Sequence, residues 1–190
     1  MRLDRKPLAA TDEKIVAATR AWLERAVIGL NLCPFARAVH VKNQIRYAVS
    51  AAQTPADLLA DLVGELRTLQ AADPSEIDTT LLVHPRVLSD FFDFNDFLEL
   101  ADAAVAAEGL EGEIQVASFH PHYQFAGTRP EDIENCSNRS PYPTLHLLRE
   151  ASIERAVAVF PDASQIFERN IETLRRLGRD GWRRLAVDKA

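Results

Sequence analysis

The densest group of chemically capable side chains lies between Phe119 and Pro143, where the apolar periodicity of the chain stops. Long segments without regular structure are uncommon in compact domains and are often functional. This segment combines imidazole, thiol, guanidinium, amide and phenol groups, so we expect it to supply part of a functional site. Its principal candidates are His120, His122, Arg129, Cys136, Asn138, Arg139 and Tyr142.

The His120-Pro121-His122 motif places two imidazoles two residues apart. In extended backbone both rings point to the same side, as two ligands of one metal ion require. One hypothesis is therefore a metal-binding protein that uses His120, His122 and Cys136. The alternative is that the histidines form hydrogen bonds across the end of a strand. One of them then acts as a general acid or base, because the pKa of imidazole lies near neutrality.

Cys33 is the second candidate for chemistry. If a helical turn begins at Pro34, free backbone N–H groups and Arg37 would stabilise a thiolate, which is nucleophilic at neutral pH. The alternative is a small buried hydrophobic residue that packs beside Leu32 and Phe35. The sequence leaves both interpretations open.

An anion site is predicted where residues 143–150 are expected to form a helix. Backbone N–H groups at the start of that helix, together with Asn138, Arg139 and Tyr142, would hold a carboxylate or a phosphate. Arg129 is a candidate for a second cationic contact. The alternative is an ion pair between Arg139 and the acidic middle of the chain.

The elements that must position these side chains alternate between strand and helix. Such alternation, with crossovers of this length, is typical of βαβ units and an at least partly parallel sheet. Thr54 and Pro55 form the expected start of a helix, with Thr54 as cap. The predicted elements in this part are strand 45–51, a helix from Thr54, strand 79–83, a helix from Ser89 and strand 114–119.

We therefore predict an α/β fold in one domain, 1–190, with a small sheet, flanking helices and a C-terminal helical segment. If residues 38–41 form a further strand, an α+β ferredoxin-like arrangement is the alternative. Asp162 and Gln165 form a predicted capping box at the last helix. The remaining predicted helices are 11–30, 143–150, 152–159 and 162–177.

Composition limits the function classes. The 190 residues carry a net charge of -6, which predicts no broad contact with nucleic acid or an anionic membrane. Residues 51–135 hold 17 of the 28 acidic and 3 of the 22 basic residues, so basic ends are expected to pair with an acidic middle. The exception to test is binding of an external anion by the basic C-terminal run: Arg175, Arg176, Arg179, Arg183 and Arg184.

The chain has neither a signal-type apolar segment nor 18 consecutive apolar residues, so we expect a cytoplasmic protein with reduced Cys33 and Cys136. Dinucleotide, P-loop and serine-hydrolase glycine motifs are absent, and the sequence assigns no cofactor. The first functional hypothesis is an enzyme acting on a small anionic substrate at the carboxyl ends of the strands. Metal binding and a non-catalytic interaction module are the alternatives.

Three segments together resemble one known family: Gly29–Ala36, Phe119–Phe125 and Asn138–Pro143. In these the chain reads GLNLCPFA, FHPHYQF and NRSPYP, and it resembles the bacterial family called domain of unknown function 1415. The resemblance covers nearly the whole chain. It implies a compact bacterial cytoplasmic protein, but it implies no reaction and no catalytic residue.

Overall fold

A mixed four-stranded sheet forms the centre of the computed structural model, which describes residues 10–158 and 165–187. The strands are β1 (Ile45–Val49), β2 (Thr79–Val83), β3 (Ile114–Phe119) and β4 (Thr144–Arg149), in the order β1-β2-β4-β3. β1 pairs with β2 in parallel, whereas β4 is antiparallel to both β2 and β3. β1, β2 and β3 therefore share one direction, and the α/β prediction is confirmed.

Helices connect and cover these strands. They are α1 (Ala10–Trp22), a π-helix (Leu23–Ile28), α2 (Ala36–Val41), α3 (Pro55–Ala71), α4 (Phe91–Ala107), a 3-10 helix (Ile133–Asn138), α5 (Glu150–Ala158) and α6 (Ile166–Arg184). In the described parts of the chain, no helix combines the length and the apolar character needed to cross a bilayer.

The two central helices begin where the sequence places polar caps. The Thr54 hydroxyl accepts a hydrogen bond from the N–H of Asp57 at 3.2 Å, and Pro55 is the first residue of α3. The Asp90 side chain accepts from two backbone N–H groups at the start of α4, two residues beyond the predicted start at Ser89. Both caps satisfy donors that lack a partner within the helix.

Opposite faces of the sheet carry two apolar clusters. α3 and α4 pack on one face, where every fourth or third residue of α3 is fully buried: Leu58, Leu62, Leu66 and Leu69. Burying a leucine side chain completely contributes about 1.5–3 kcal/mol. α1, the π-helix and α6 cover the other face, where Trp22 meets Phe119 with ring centroids 5.1 Å apart.

The predicted helix 143–150 is wrong, because Thr144–Arg149 form strand β4. Leu145 and Leu147 are fully buried in the α3–α4 cluster, whereas His146 points to the opposite face. This alternation is the period of two of a strand. β4 also forms hydrogen bonds on both sides, to β2 and to β3, which a helix could not provide. The predicted helix N-terminus for anion binding is therefore wrong.

Residues 38–41, which the sequence leaves open as a further strand, belong to α2. Local bonds close this short helix, including Lys42 N–H to the Ala38 carbonyl at 3.2 Å, and Asn43 follows with a φ of 57°. The ferredoxin-like alternative required a strand at 38–41. The fourth strand comes from β4 instead.

The C-terminal helix is longer than predicted. α6 reaches Arg184, but Gly178 breaks its regular geometry with φ 67° and ψ 173°, immediately after the predicted end at Leu177. Glycine tolerates this positive φ without steric cost. Residues 159–164, and with them Asp162 of the predicted capping box, lie outside the described residues.

Pairing between the basic ends and the acidic middle is present at several positions. Arg46 of β1 forms two hydrogen bonds with Glu65 of α3, at 2.6 and 2.9 Å. Arg175 of α6 donates to Glu134 at 2.9 Å. These contacts use part of the basic excess within the fold, as the charge distribution predicts.

The strand geometry of β4 can be tested with two adjacent leucines. Leu147→Ala should lower the free energy of unfolding by about 2–5 kcal/mol, because it leaves a cavity in the α3–α4 cluster. Leu148→Ala is the matched control, since Leu148 is only partly buried, and it should cost less than half as much. Urea unfolding of both variants measures the difference, and equal losses would contradict the alternation.

Candidate functional site

The carboxyl ends of β2 and β3 bring two buried histidines to the same edge of the sheet. His84 and His120 both have zero exposed surface. The Phe94 ring of α4 stacks against both, with centroid distances of 5.6 Å to His84 and 5.1 Å to His120. The first functional hypothesis placed a site at the carboxyl ends of the strands, and both histidines lie at such an end. Their surroundings are those of a packed core.

His120 uses both ring nitrogens in structural hydrogen bonds. The backbone N–H of His122 donates to Nδ1 at 3.0 Å, so Nδ1 carries no proton. Nε2 therefore carries the proton and donates to the Leu88 carbonyl at 3.2 Å. Leu88 has a φ of 56°, which is rare for a branched side chain. His120 thus fixes two turns, and it must give up a bond to act as a base or a ligand.

His84 differs from His120, because one of its ring nitrogens has no hydrogen-bond partner. Nδ1 lies 3.1 Å from the Val87 carbonyl and donates to it. Nε2 is buried without a hydrogen-bond partner. Burial lowers the pKa of His84 to about 4, against an opposing effect of the Val87 bond. The imidazole is therefore neutral near pH 7.

The third histidine of interest, His146, lies on the opposite face of the sheet. The Thr79 hydroxyl donates to the Leu147 carbonyl at 2.6 Å, so it must accept its 2.7 Å hydrogen bond from His146 Nε2. Burial lowers the pKa of His146 to about 4. Like His84, this residue is neutral in the folded protein near pH 7.

Within residues 10–158 and 165–187, no three His, Cys, Asp or Glu side chains lie close enough together to bind one metal ion. The His120 and His122 rings are close, with centroids 5.8 Å apart. However, the His122 backbone occupies the Nδ1 lone pair of His120, and Cys136 is buried in the cluster around Trp22 on the other face.

The predicted anion-binding side chains of the 120–143 loop mainly bind the loop itself. Arg139 donates to the carbonyls of Tyr123 at 3.2 Å and Pro130 at 2.5 Å. The Asn138 amide donates to the Ser118 carbonyl at 3.3 Å. The Arg139 bonds satisfy backbone acceptors of the irregular loop, and the Asn138 bond connects the loop to β3.

Tyr142 and Arg129 also contribute backbone groups to this loop. The Tyr142 carbonyl accepts from the hydroxyls of Ser140 and Thr144, at 2.6 and 2.9 Å. The Arg129 carbonyl accepts from the Asn135 amide at 2.8 Å. Arg129 is an exposed residue. Asn135 is fully buried, and its side-chain oxygen also accepts two hydrogen bonds from within the loop.

Cys33 lies in a tight turn whose helix begins later than predicted, at Ala36. Burial raises the pKa of the Cys33 thiol, and hydrogen bonds from the backbone of Phe35 and Ala36 oppose the shift without reversing it. Arg37 is exposed on α2. Only the backbone hydrogen bonds of the predicted thiolate stabilisation are thus present. The half-buried thiol stays protonated near neutral pH.

Cys33 and His120 belong to clusters on opposite faces of the sheet. Cys33 packs with the cluster around Trp22, whereas His120 stacks on Phe94 in the α3–α4 cluster. Arg139 is occupied within the 120–143 loop. The structure therefore does not join these three predicted site residues in one cavity.

A different cavity adjoins the Cys33 turn. It is a cleft of about 490 Å³ between residues 29–34 and the first half of α6, here called the α6 cleft. Asn170 joins its walls by donating to the Leu32 carbonyl at 2.9 Å. The turn contributes Gly29, Leu30, Asn31 and Pro34. The helix contributes Ile166, Arg169, Asn170, Glu172, Thr173 and Arg176.

The turn wall of the α6 cleft has unusual backbone geometry. The π-helix ends in bonds that span five residues, from Gly29 N–H to Glu24 and from Leu32 N–H to Val27, at 3.0 and 2.9 Å. A Cβ atom at Gly29 would lie 2.2 Å from the Arg25 carbonyl oxygen, so only glycine fits. Asn31 adopts a φ of 56°. π-helical turns and left-handed residues recur at functional sites.

The sequence indicated Arg176 as a candidate for anion binding, but it did not indicate Arg169, the other arginine of the cleft. Arg169 and Arg176 are seven residues apart, two helical turns, so they lie on the same face of α6. The seven-residue spacing could therefore have indicated from the sequence that Arg169 and Arg176 act together. The turn opposite them was not predictable, because the Asn170–Leu32 contact joins positions 138 residues apart.

The sheet, its helical layers and the α6 cleft define an α/β protein with a cleft of small-molecule size between its first and last helical segments. The chain belongs to the family described as protein of unknown function (DUF1415), whose model matches residues 14–184. The match confirms the resemblance seen in the sequence. No curated protein and no solved structure matches the chain.

The two neutral histidines predict a loss of stability in acid. An unfolded histidine titrates near pH 6.5, whereas His84 and His146 titrate near 4 when folded. Between these values the unfolded chain binds protons that the folded chain does not, so stability falls as the pH falls from 6.5 to 4. Each histidine should account for roughly 3 kcal/mol at most.

A double variant separates this effect from general acid denaturation. In His84→Asn with His146→Gln, amide nitrogens replace the donating ring nitrogens but do not titrate. Urea unfolding near pH 6.5 and near pH 4 should show a smaller loss for the variant than for the wild type. An identical loss in both proteins would rule out these histidines as its source.

The raised pKa of Cys33 predicts slow alkylation. In a Cys136→Ala background, iodoacetamide should modify folded Cys33 at neutral pH more slowly than the same residue in the urea-unfolded chain, because the thiolate is the reacting form. Mass spectrometry over a pH series follows the reaction. A folded rate equal to or above the unfolded rate would show an activated thiol.

Proposed function

We propose that the protein binds a small anionic molecule in the α6 cleft. The observation that carries this proposal is the pair of guanidinium groups, Arg169 and Arg176, on one wall of a cleft of about 490 Å³. Sites for small molecules typically enclose about 300–1,000 Å³. Guanidinium groups bind carboxylate and phosphate oxygens through paired, charge-assisted hydrogen bonds.

Neutral polar groups of the cleft support the same ligand chemistry. Asn31 and Thr173 line the cleft from opposite walls, and each offers a hydrogen-bond donor to an anionic oxygen. The Asn170 bond to the Leu32 carbonyl holds the two walls together before any ligand arrives. A cleft formed in advance loses less conformational entropy on binding.

The charge of α6 adds a longer-range contribution. Beyond the cleft, its exposed face carries further arginines, and the Arg175 and Arg179 contacts with the 120–143 loop fix the helix in place. A basic surface raises the local concentration of anions and speeds their association. Because the cleft is open to solvent, this attraction should weaken as the salt concentration rises.

A thiol-dependent reaction on the same anion is the second candidate function. Cys33 lies between the cleft residues Asn31 and Pro34, and the backbone of Phe35 and Ala36 supplies hydrogen bonds to it. The alkylation experiment distinguishes the two candidates. Fast reaction of folded Cys33 at neutral pH would favour catalysis, and slow reaction would favour binding alone.

We also propose that the protein acts in the bacterial cytoplasm. Cys33 is a free thiol, the state that the cytosolic thiol pool maintains. Fractionation of cells that express the full chain tests this location, and recovery of the protein from the periplasm would contradict it.

Anion binding can be tested with inorganic phosphate. Amide NMR shifts in a phosphate titration at constant ionic strength should map to residues 29–34 and 166–176. Arg176→Gln should weaken the apparent affinity about tenfold, since losing a charge-assisted contact costs roughly 1.5 kcal/mol.

Arg184→Gln is the matched control, because Arg184 is an exposed arginine of the same helix that lies beyond Gly178 and outside the cleft. This variant should bind phosphate like the wild type. Shifts that map elsewhere, or equal weakening by both substitutions, would show that phosphate binds only by general attraction to a basic surface.

A further inference from the structure

We infer that the ligand of the α6 cleft is an organic anion with an apolar group, and not a bare inorganic anion. This inference rests on the proposed function, because it concerns the ligand of the same site. It follows from the part of the cleft lining that the guanidinium groups do not explain.

The unexplained part is the apolar lining, here called the apolar wall, to which Leu30 and Pro34 contribute from the turn and Ile166 from α6. All three residues keep partly exposed surface. Leu30 also packs on the cluster around Trp22, so its position is fixed by the core. An inorganic anion held by the arginines would leave this wall in contact with water. An apolar group placed against it would gain from burial in proportion to the area covered.

The order of residues along α6 gives the ligand a direction. Ile166 begins the helix, Arg169 follows after about one turn, and Arg176 lies two turns further on the same face, roughly 10 Å away. The α6 side of the cleft thus has its apolar residue at the start of the helix and its two arginines further along it. A matching ligand carries its apolar group at one end and its charge at the other.

Glu172 limits the charge of that ligand. Its carboxylate lines the cleft between the two arginines in sequence. A polyphosphate that extends along the wall would meet this negative charge at close range, and like charges repel. One carboxylate or one phosphate monoester is short enough to avoid that conflict. The assigned class is therefore a small organic acid or phosphate monoester with an apolar body.

The decisive comparison uses two probes with the same anionic group. Isothermal titration calorimetry at constant ionic strength should give phenyl phosphate an affinity about tenfold higher than that of inorganic phosphate, equivalent to roughly 1.4 kcal/mol. Benzoate against acetate repeats the comparison for carboxylates and shows which anionic group the arginines prefer.

Substitutions then assign the gain to the apolar wall. Ile166→Ser should reduce the affinity for phenyl phosphate several-fold and leave that for inorganic phosphate unchanged, whereas Arg176→Gln should reduce both. Val41→Ser is the matched control, since Val41 is 71% exposed on α2 and outside the cleft. Circular dichroism confirms that each variant is folded.

The outcomes separate the two proposals. If neither phosphate nor phenyl phosphate binds, the proposed function itself fails. If both bind with equal affinity, or if Ile166→Ser and Val41→Ser behave alike, anion binding stands and the organic class is wrong. The comparison between probes uses the wild-type protein, so it does not depend on how well a variant folds.

Discussion

The pairing of β4 with both β2 and β3 is the constraint on which the rest of the structure depends. β2 and β3 are parallel, but β4 lies between them and supplies the hydrogen bonds that each needs on that side. Phe119 ends β3 and pairs with Thr144, the first residue of β4. The chain that leaves the sheet after Phe119 must therefore come back beside Phe119 to begin β4. This closure makes residues 120–143 a loop that leaves and re-enters the sheet at the edge where β1, β2 and β3 end.

Because the loop lies outside the sheet, its polar side chains form hydrogen bonds with backbone groups. Its carbonyl and N–H groups have no neighbouring strand, and buried polar groups without partners are costly. Arg139, Asn135 and His120 supply the missing partners through their side chains. A loop built to bind a ligand and a loop built to satisfy itself use the same residue types. Composition alone therefore could not distinguish the two, and only the bonding pattern separates them.

Local signals in the sequence predicted the parts of the fold that local physics determines. The strands at 45–49, 79–83 and 114–119 and the helices α3 and α4 follow from periodicity and caps such as Thr54. β4 was missed because Pro143 resembles a helix start, while the pairing that makes β4 a strand is long-range. The candidate site was missed for the same reason. Arg176 was identified, but the turn that faces α6 is more than 130 residues away in sequence.

The α6 cleft therefore joins the two ends of the chain. Arg25, in the π-helix, donates to the carbonyls of Leu185 and Ala186 at 3.3 and 3.2 Å, and Asn170 donates to the Leu32 carbonyl. These contacts and the cluster around Trp22 and Trp182 hold α6 against the first helical segment. A ligand that binds between both walls stabilises only the state in which the two segments are docked. Occupancy of the cleft is thus linked to the docking of α6, and through Arg175 and Glu134 to the 120–143 loop as well.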